Sequence, residues 1–238
     1  DSLHLYAESL DTNDVLGKAL YHWSKGKAFY WNSQYPSAYI ELEKASEWVR
    51  TLDDTVLLAE AFIDLSSSLA VVDKNGRALS FLLEANKLLK ESGDLEQQTR
   101  VAISLAEMYR KISEYEEAMK ILRKTLKRTD NLIYNKARCL NRMAAVFSET
   151  GKYDSSKVYS YRALELSGAI GDVDLIATSE NEIGYVLRHQ DKFEESLHHF
   201  FRADSLWRSV GMLRYATNPM HHVAVVYRGM NEFEKGLT

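Results

Sequence analysis

The stretch IGYVLRHQDKFEESLHHFFRA, residues 183–203, carries the pattern on which the fold turns. Gly184 is small, and Leu187, three residues later, is large. A short polar connector follows, then an aromatic at Phe193 and small residues at Ser196 and Ala203. Residues three, four and seven apart share one side of a helix, so these offsets describe two amphipathic helices. A connector this short makes them antiparallel neighbours.

The pattern recurs in both directions along the chain. The small residue is Gly26, Ser66, Ala106, Ala144, Gly184 and Ala224; the large one is Phe29, Leu69, Tyr109, Phe147, Leu187 and Tyr227. The aromatic returns at Tyr35, Tyr115, Tyr153, Phe193 and Phe233, with Asn75 the exception. Small residues follow at Ala38, Ala78, Ala118, Ser156, Ser196 and Gly236. Asn13, Asp53, Gly93, Asn131, Gly171 and Gly211 stand 40, 40, 38, 40 and 40 residues apart, all types that tolerate the left-handed conformation after a helix. Asp14, Asp54, Asp94 and Asp172 follow four of them, placed to cap the next helix. One helix pair cannot bury its own apolar face, and stacking on the next pair does so. The expected fold is therefore all-α: a right-handed α-α superhelix of antiparallel pairs with a concave and a convex side. The expected organisation is one array over 1–238, with full repeats at 14–52, 54–92, 94–130, 132–170 and 172–210. A partial helix at 1–12 and a partial repeat at 212–238 lack the polar caps of a solenoid's ends, as expected of part of a longer array.

Composition narrows the function. Two prolines and eleven glycines in 238 residues argue against a many-turned β-sandwich and against disorder. A lone cysteine, Cys139, excludes a disulfide framework and any multi-cysteine metal site. A net charge of −4 argues against a nucleic-acid footprint. No apolar run reaches the roughly 20 residues of a membrane span, so no membrane partner is expected through this region. Cytoplasm and periplasm are both compatible with these features, and oligomeric state is left open.

The repeat resembles the tetratricopeptide repeat (TPR). The matching residues are Gly151-Lys152-Tyr153 with Ala163, Gly184 with Phe193, Ser196, Phe200 and Ala203, and Ala106 with Tyr109, Tyr115, Ala118 and Leu122. The period near 40 exceeds the family's usual ~34, and the proline that often ends its second helix is absent. The longer period is similar to the subclass in kinesin light chains and in bacterial peptide-sensing and Rap-type regulators. In those relatives, asparagines of the first helices face the concave groove and hold a peptide backbone.

On a helical projection the corresponding stripe here holds Asn141, Asn181 and His221 at one position of successive repeats, with Tyr185 beside them. An amide presents a donor and an acceptor, as an extended peptide backbone requires. Arg100, Arg110, Arg138, Arg188 and Arg228 make the same wall basic, which fits an acidic peptide or a free C-terminus. The plainer alternatives are side chains bonded to a neighbouring helix and arginines paired with Glu107 or Glu149. Trp23 and Trp31 project to this side, either as apolar anchors or as packing.

Catalytic and metal motifs are missing from the sequence. There is no His-Glu-x-x-His, EF-hand, P-loop or Gly-x-Ser-x-Gly, and Cys139 reads as a buried filler. No cofactor is expected. The pattern points to a scaffold that captures a protein or an extended acidic peptide. The alternative is the sensory region of a bacterial signalling protein, covalently linked to a kinase or helix-turn-helix output domain. An enzyme built on these repeats would need catalytic residues in an N-terminal extension.

Overall fold

A computed structural model describes residues 14–90 and 94–231, and among them every regular element is an α-helix. Asn13, Gly93, Phe233, Gly236 and the partial helix expected at 1–12 lie outside the described residues. The helices are α1 (Val15–Trp31), α2 (Tyr35–Arg50), α3 (Thr55–Val71), α4 (Asn75–Leu89), α5 (Leu95–Lys111), α6 (Tyr115–Leu126), α7 (Ile133–Glu149), α8 (Tyr153–Ile170), α9 (Val173–His189), α10 (Phe193–Ser209) and α11 (Leu213–Gly229). They fall into two compact units, residues 1–114 with α1–α5 and residues 115–238 with α6–α11. Within each unit, every helix packs on the next along the chain, and first helices of successive repeats also touch: α1 on α3, α3 on α5, α7 on α9, α9 on α11. Each unit is thus a stack of helix pairs of the α-α superhelical class.

The capping follows the aspartates. Asp14 accepts from the Gly17 N–H, Asp54 from Val56 and Leu57, Asp94 from Gln97 and Asp172 from Leu175. Asp53, Gly171 and Gly211 adopt φ of 56°, 67° and 74°, as their type predicts. Asn131, expected to do the same, is not among the positive-φ residues. α7 there starts behind Leu132 without a side-chain cap.

A second left-handed series runs inside the repeats: Ser33, Asp73, Ser113, Gly151, Asp191 and Asn231, with φ of 57–73°, of which only the two serines are of a type that gave no such signal. The residue after each of the first five returns its N–H to the carbonyl of the repeat's large residue. These bonds join Gln34 to Phe29, Lys74 to Leu69, Glu114 to Tyr109, Lys152 to Phe147 and Lys192 to Leu187, at 2.8–3.0 Å. This six-to-one closure is the Schellman turn.

Packing explains the small residues. A Cβ added to Gly184 would lie 2.8 Å from the fully buried Phe200 ring, and one on Gly26 would lie 2.7 Å from Leu42 Cγ. Ala177, Ala203 and Ala216 similarly let Trp207 fill the space between α9, α10 and α11.

One intrahelical-pair contact changes chemistry between repeats. In the second repeat it is Phe62 against Phe81, 5.0 Å between centroids. In the first it is His22 Nδ1 to Glu41 at 2.7 Å, with Lys44 on the other carboxylate oxygen at 2.9 Å. In the fifth the acid and imidazole have exchanged helices: Glu180, fully buried, meets His199 at 2.6 Å and Arg202 at 3.1 Å.

Gly184→Ala should lower stability by about 1–3 kcal/mol, because Phe200 has no free volume to move into. Gly168→Ala, with nothing within 4 Å of the new methyl, should instead raise it by about 0.5–1 kcal/mol through helix propensity. Thermal denaturation followed by circular dichroism separates the two; equal melting temperatures would refute the close-approach account.

Candidate functional site

The residues singled out on the first-helix stripe sort into three environments. Asn141, on α7, is 2% exposed. Its Nδ2 donates to the Leu175 carbonyl at 3.4 Å, and its Oδ1 accepts from Ser179 Oγ at 2.9 Å. Both ends of the amide are engaged by α9. Asn141 therefore ties two repeats together, inside their contact and not on an open wall. The helical projection could not show this, because the hydroxyl comes from the following repeat.

Asn181, one repeat on, is 8% exposed, and its Oδ1 has no hydrogen-bond partner among the described residues. Four and seven residues further along the same face of α9 stand Tyr185 and Arg188. The Arg188 guanidinium lies 4.9 Å from the Tyr185 ring centre, and its Nη2 donates to His189 Nε2 at 2.9 Å. Arginine only donates, so Nε2 accepts and the ring proton sits on Nδ1. That Nδ1–H donates to Tyr153 Oη, 3.1 Å away at the start of α8, and the two rings stack at 4.7 Å.

Tyr185 also touches His222 of α11 edge-on at 5.4 Å, while Phe200 of α10 stacks on the other side of that imidazole at 5.1 Å. Tyr153, Tyr185, Arg188, His189 and His222 thus form one connected cluster on three helices of the second unit, α8, α9 and α11. The Arg188 Nε and His222 Nδ1 atoms are buried within it without a hydrogen-bond partner among the described residues.

Its electrostatics follow from burial beside a fixed cation. Burial, then Arg188, His221 and His189, hold His222 down at about 4. Burial and Arg188 also lower His189, against Asp191, which raises it. Burial raises the Tyr185 phenol. At neutral pH the cluster carries neutral imidazoles and one guanidinium.

The remaining candidates lie around or away from it. His221 and Arg228 are exposed on α11, with His221 5.7 Å from His222. Arg138 is half-buried on α7, over the Tyr134 ring at 5.7 Å. Arg110 belongs to the first unit, where Glu107 accepts from both its Nε and Nη2 at 2.9 and 2.7 Å. Trp23 is buried and donates to Asp64 of α3 at 2.8 Å, while Trp31 is 43% exposed. Sequence reasoning missed His222 and Tyr153. His222 is one residue, about 100° of helix, off the stripe, and Tyr153 reads as the repeat's packing aromatic.

Cys139 is fully buried; its Sγ donates to the Leu122 carbonyl at 3.2 Å, and burial pushes its thiol up to about 12. No group of three or more His, Cys, Asp or Glu able to hold a metal occurs among the described residues. No described helix is long and apolar enough to cross a membrane.

Neither a protein-family model nor any curated protein sequence matches this chain. Solved structures do. A Rap protein complexed with Competence and Sporulation Factor superposes with a TM-score of 0.76 at 12% identity, over 99% of this chain and 75% of that one. The fold is that of the long-repeat TPR-like regulators. NprR in complex with its cognate peptide NprX matches with a TM-score of 0.72 at 16% identity, over 93% of this chain and 64% of that one. A kinesin light chain with nearly identical TPR-like repeats, from Podosopora anserina, matches at 0.59 and 10% identity, over 79% and 94%. The chain thus spans about two thirds to three quarters of the two regulators.

His222 supplies a pH test. Its folded value lies below the ordinary 6.5, so the unfolded chain binds this proton more readily. Its contribution to stability is present above pH 6.5 and is lost as the pH falls toward about 4. The wild-type melting temperature should therefore fall faster than that of His222→Gln across this window; parallel curves would refute the assignment. Cys139 should react with a soluble disulfide reagent only as the protein unfolds, which a thiol assay with and without denaturant checks.

Proposed function

We propose that the chain is a non-enzymatic scaffold whose first-helix groove captures an extended, acidic peptide or protein segment. The observation that carries this is Asn181. It is a nearly buried amide whose acceptor is unmet among the described residues, at the head of a face that continues through Tyr185 and Arg188. A buried polar atom left so costs about 1–3 kcal/mol, an expense most easily understood if a ligand supplies the missing bond. A peptide N–H has that chemistry. His221 and Arg228 extend the same side along α11, and the guanidiniums favour carboxylates on the ligand. The two regulator structures that superpose on this chain hold peptides, which supports the reading without supplying the ligand's identity.

Within it, the regulatory alternative is that the groove is the sensory input of a longer signalling protein. The match to Rap and NprR favours this over a passive scaffold. Asn141 is left out of the proposed groove because α9 already uses both ends of its amide.

The test is selection from a display library of random heptapeptides. Wild-type protein should enrich acidic sequences, and Asn181→Ala with Arg188→Ala should lose at least ~100-fold in affinity for them, the loss of about two ligand hydrogen bonds, one of them charged. The melting temperature should not fall. Full retention of affinity in the double variant would overturn the groove assignment.

A further inference from the structure

We propose that Arg188, His189 and His222 form a carboxylate subsite within the groove, and that filling it draws a proton onto the cluster. This rests on the groove reading above and adds to it a ligand group, a position and a coupling to pH.

The geometry comes first. Arg188 already spends Nη2 on His189 and lies over Tyr185, yet its Nε–H is buried without a partner. His222 Nδ1 is likewise buried without one. Tyr185 touches both side chains, in contact with the Arg188 guanidinium and edge-on to the His222 ring. A group that satisfies both nitrogens must accept from Arg188 and then either accept from or donate to His222. A carboxylate has two acceptor oxygens and satisfies both once His222 presents an N–H. A peptide amide can accept from Arg188 and donate to a neutral His222, but it carries no charge to balance Arg188 and draws no proton.

The titratable surroundings fix the sign. From α9, His222 faces Tyr185, Arg188 and His189; from its own helix, His221; from α10, the uncharged Phe200. Tyr153 of α8 reaches the cluster through His189. Glu149 and Glu182 act on Tyr185, and Asp191 acts on His189. Burial is the largest cause that keeps the His222 imidazole neutral down to about 4, and the charges acting on it, from Arg188, His221 and His189, are all positive or potentially positive and add to it. An anion beside it opposes these charges and raises its proton affinity. Binding then takes up a proton at any pH between the free and the bound value. By linkage, affinity rises as pH falls through that window, by up to ~10-fold per unit for one proton.

Ligand side-chain acids and a ligand C-terminus share this chemistry, and three synthetic probes separate them: acetyl-tetra-alanine with a free C-terminus, its C-terminal amide, and acetyl-Ala-Asp-Ala-Ala amide. Binding is followed at pH 6 by two-dimensional NMR of the Asn181 side-chain amide and the His222 C2–H, and by calorimetry in two buffers of different ionisation enthalpy. One or both acidic probes should move the His222 signal toward the imidazolium position and take up as much as one proton; the neutral amide should move Asn181 alone. Which acidic probe succeeds identifies the source of the carboxylate. His222→Gln should keep Asn181 perturbation and lose the proton uptake. If all three probes perturb Asn181 but none protonates His222, the groove stands and the subsite proposal fails. If none perturbs Asn181 at millimolar concentration, both fail.

Discussion

The distance between a glycine and a phenyl ring governs how the fifth repeat closes, and Gly26 against Leu42 does the same in the first. At Gly184 the backbone of α9 comes so near α10 that one methyl would sit 2.8 Å from Phe200. Close approach lets Leu197 and Phe200 of α10 meet Val223 and Val226 of α11 in one apolar cluster, with Tyr185 of α9 packed against it. The same approach holds Phe200 against His222 and Tyr185 beside it. The cluster proposed as a binding site is therefore built on the packing, and no loop positions it. Rigid helices give more exact side-chain placement than loops do.

Helix ends make the second constraint. The Schellman bond reaches back to the carbonyl of the large residue, so one position both fills the helix contact and anchors the turn that reverses the chain. Coupling the two keeps connectors short and the repeat length near 40. It also explains why Ser33, Asp73 and Ser113 accept a left-handed backbone, although none is glycine. The turn supplies hydrogen bonds that offset roughly 1 kcal/mol of backbone strain at each.

Polar groups inside the stack serve different ends. Asn141 with Ser179, and Glu180 with His199 and Arg202, have their hydrogen-bonding or charge needs met by neighbouring helices. The exchange of acid and imidazole between His22–Glu41 and Glu180–His199 shows that the position requires complementarity more than any one residue; Phe62–Phe81 meets the same need without charge. Glu180 Oε1 lacks a hydrogen bond but is ion-paired with Arg202, whereas among the described residues Asn181, Arg188 and His222 each leave a buried atom with neither a hydrogen bond nor an ion pair, as Asn75, Asn135, Ser160 and Ser196 also do elsewhere.

The linear sequence by itself determined the helical class, the period and the capping aspartates. Each depends on residues three to seven apart or on one residue's own backbone preference, as Gly184 with Leu187 and Asp172 with Leu175 illustrate. It also placed Asn181, Tyr185 and Arg188 on one helix face, because helical periodicity is local. Only the tertiary structure decided that Asn141 is consumed by Ser179, that Trp23 is bound to Asp64, and that Tyr153 and His222 join Tyr185. Those partners come from residues 32 to 41 positions away. Their meeting depends on how one repeat is rotated against the next, which periodicity within a helix does not encode.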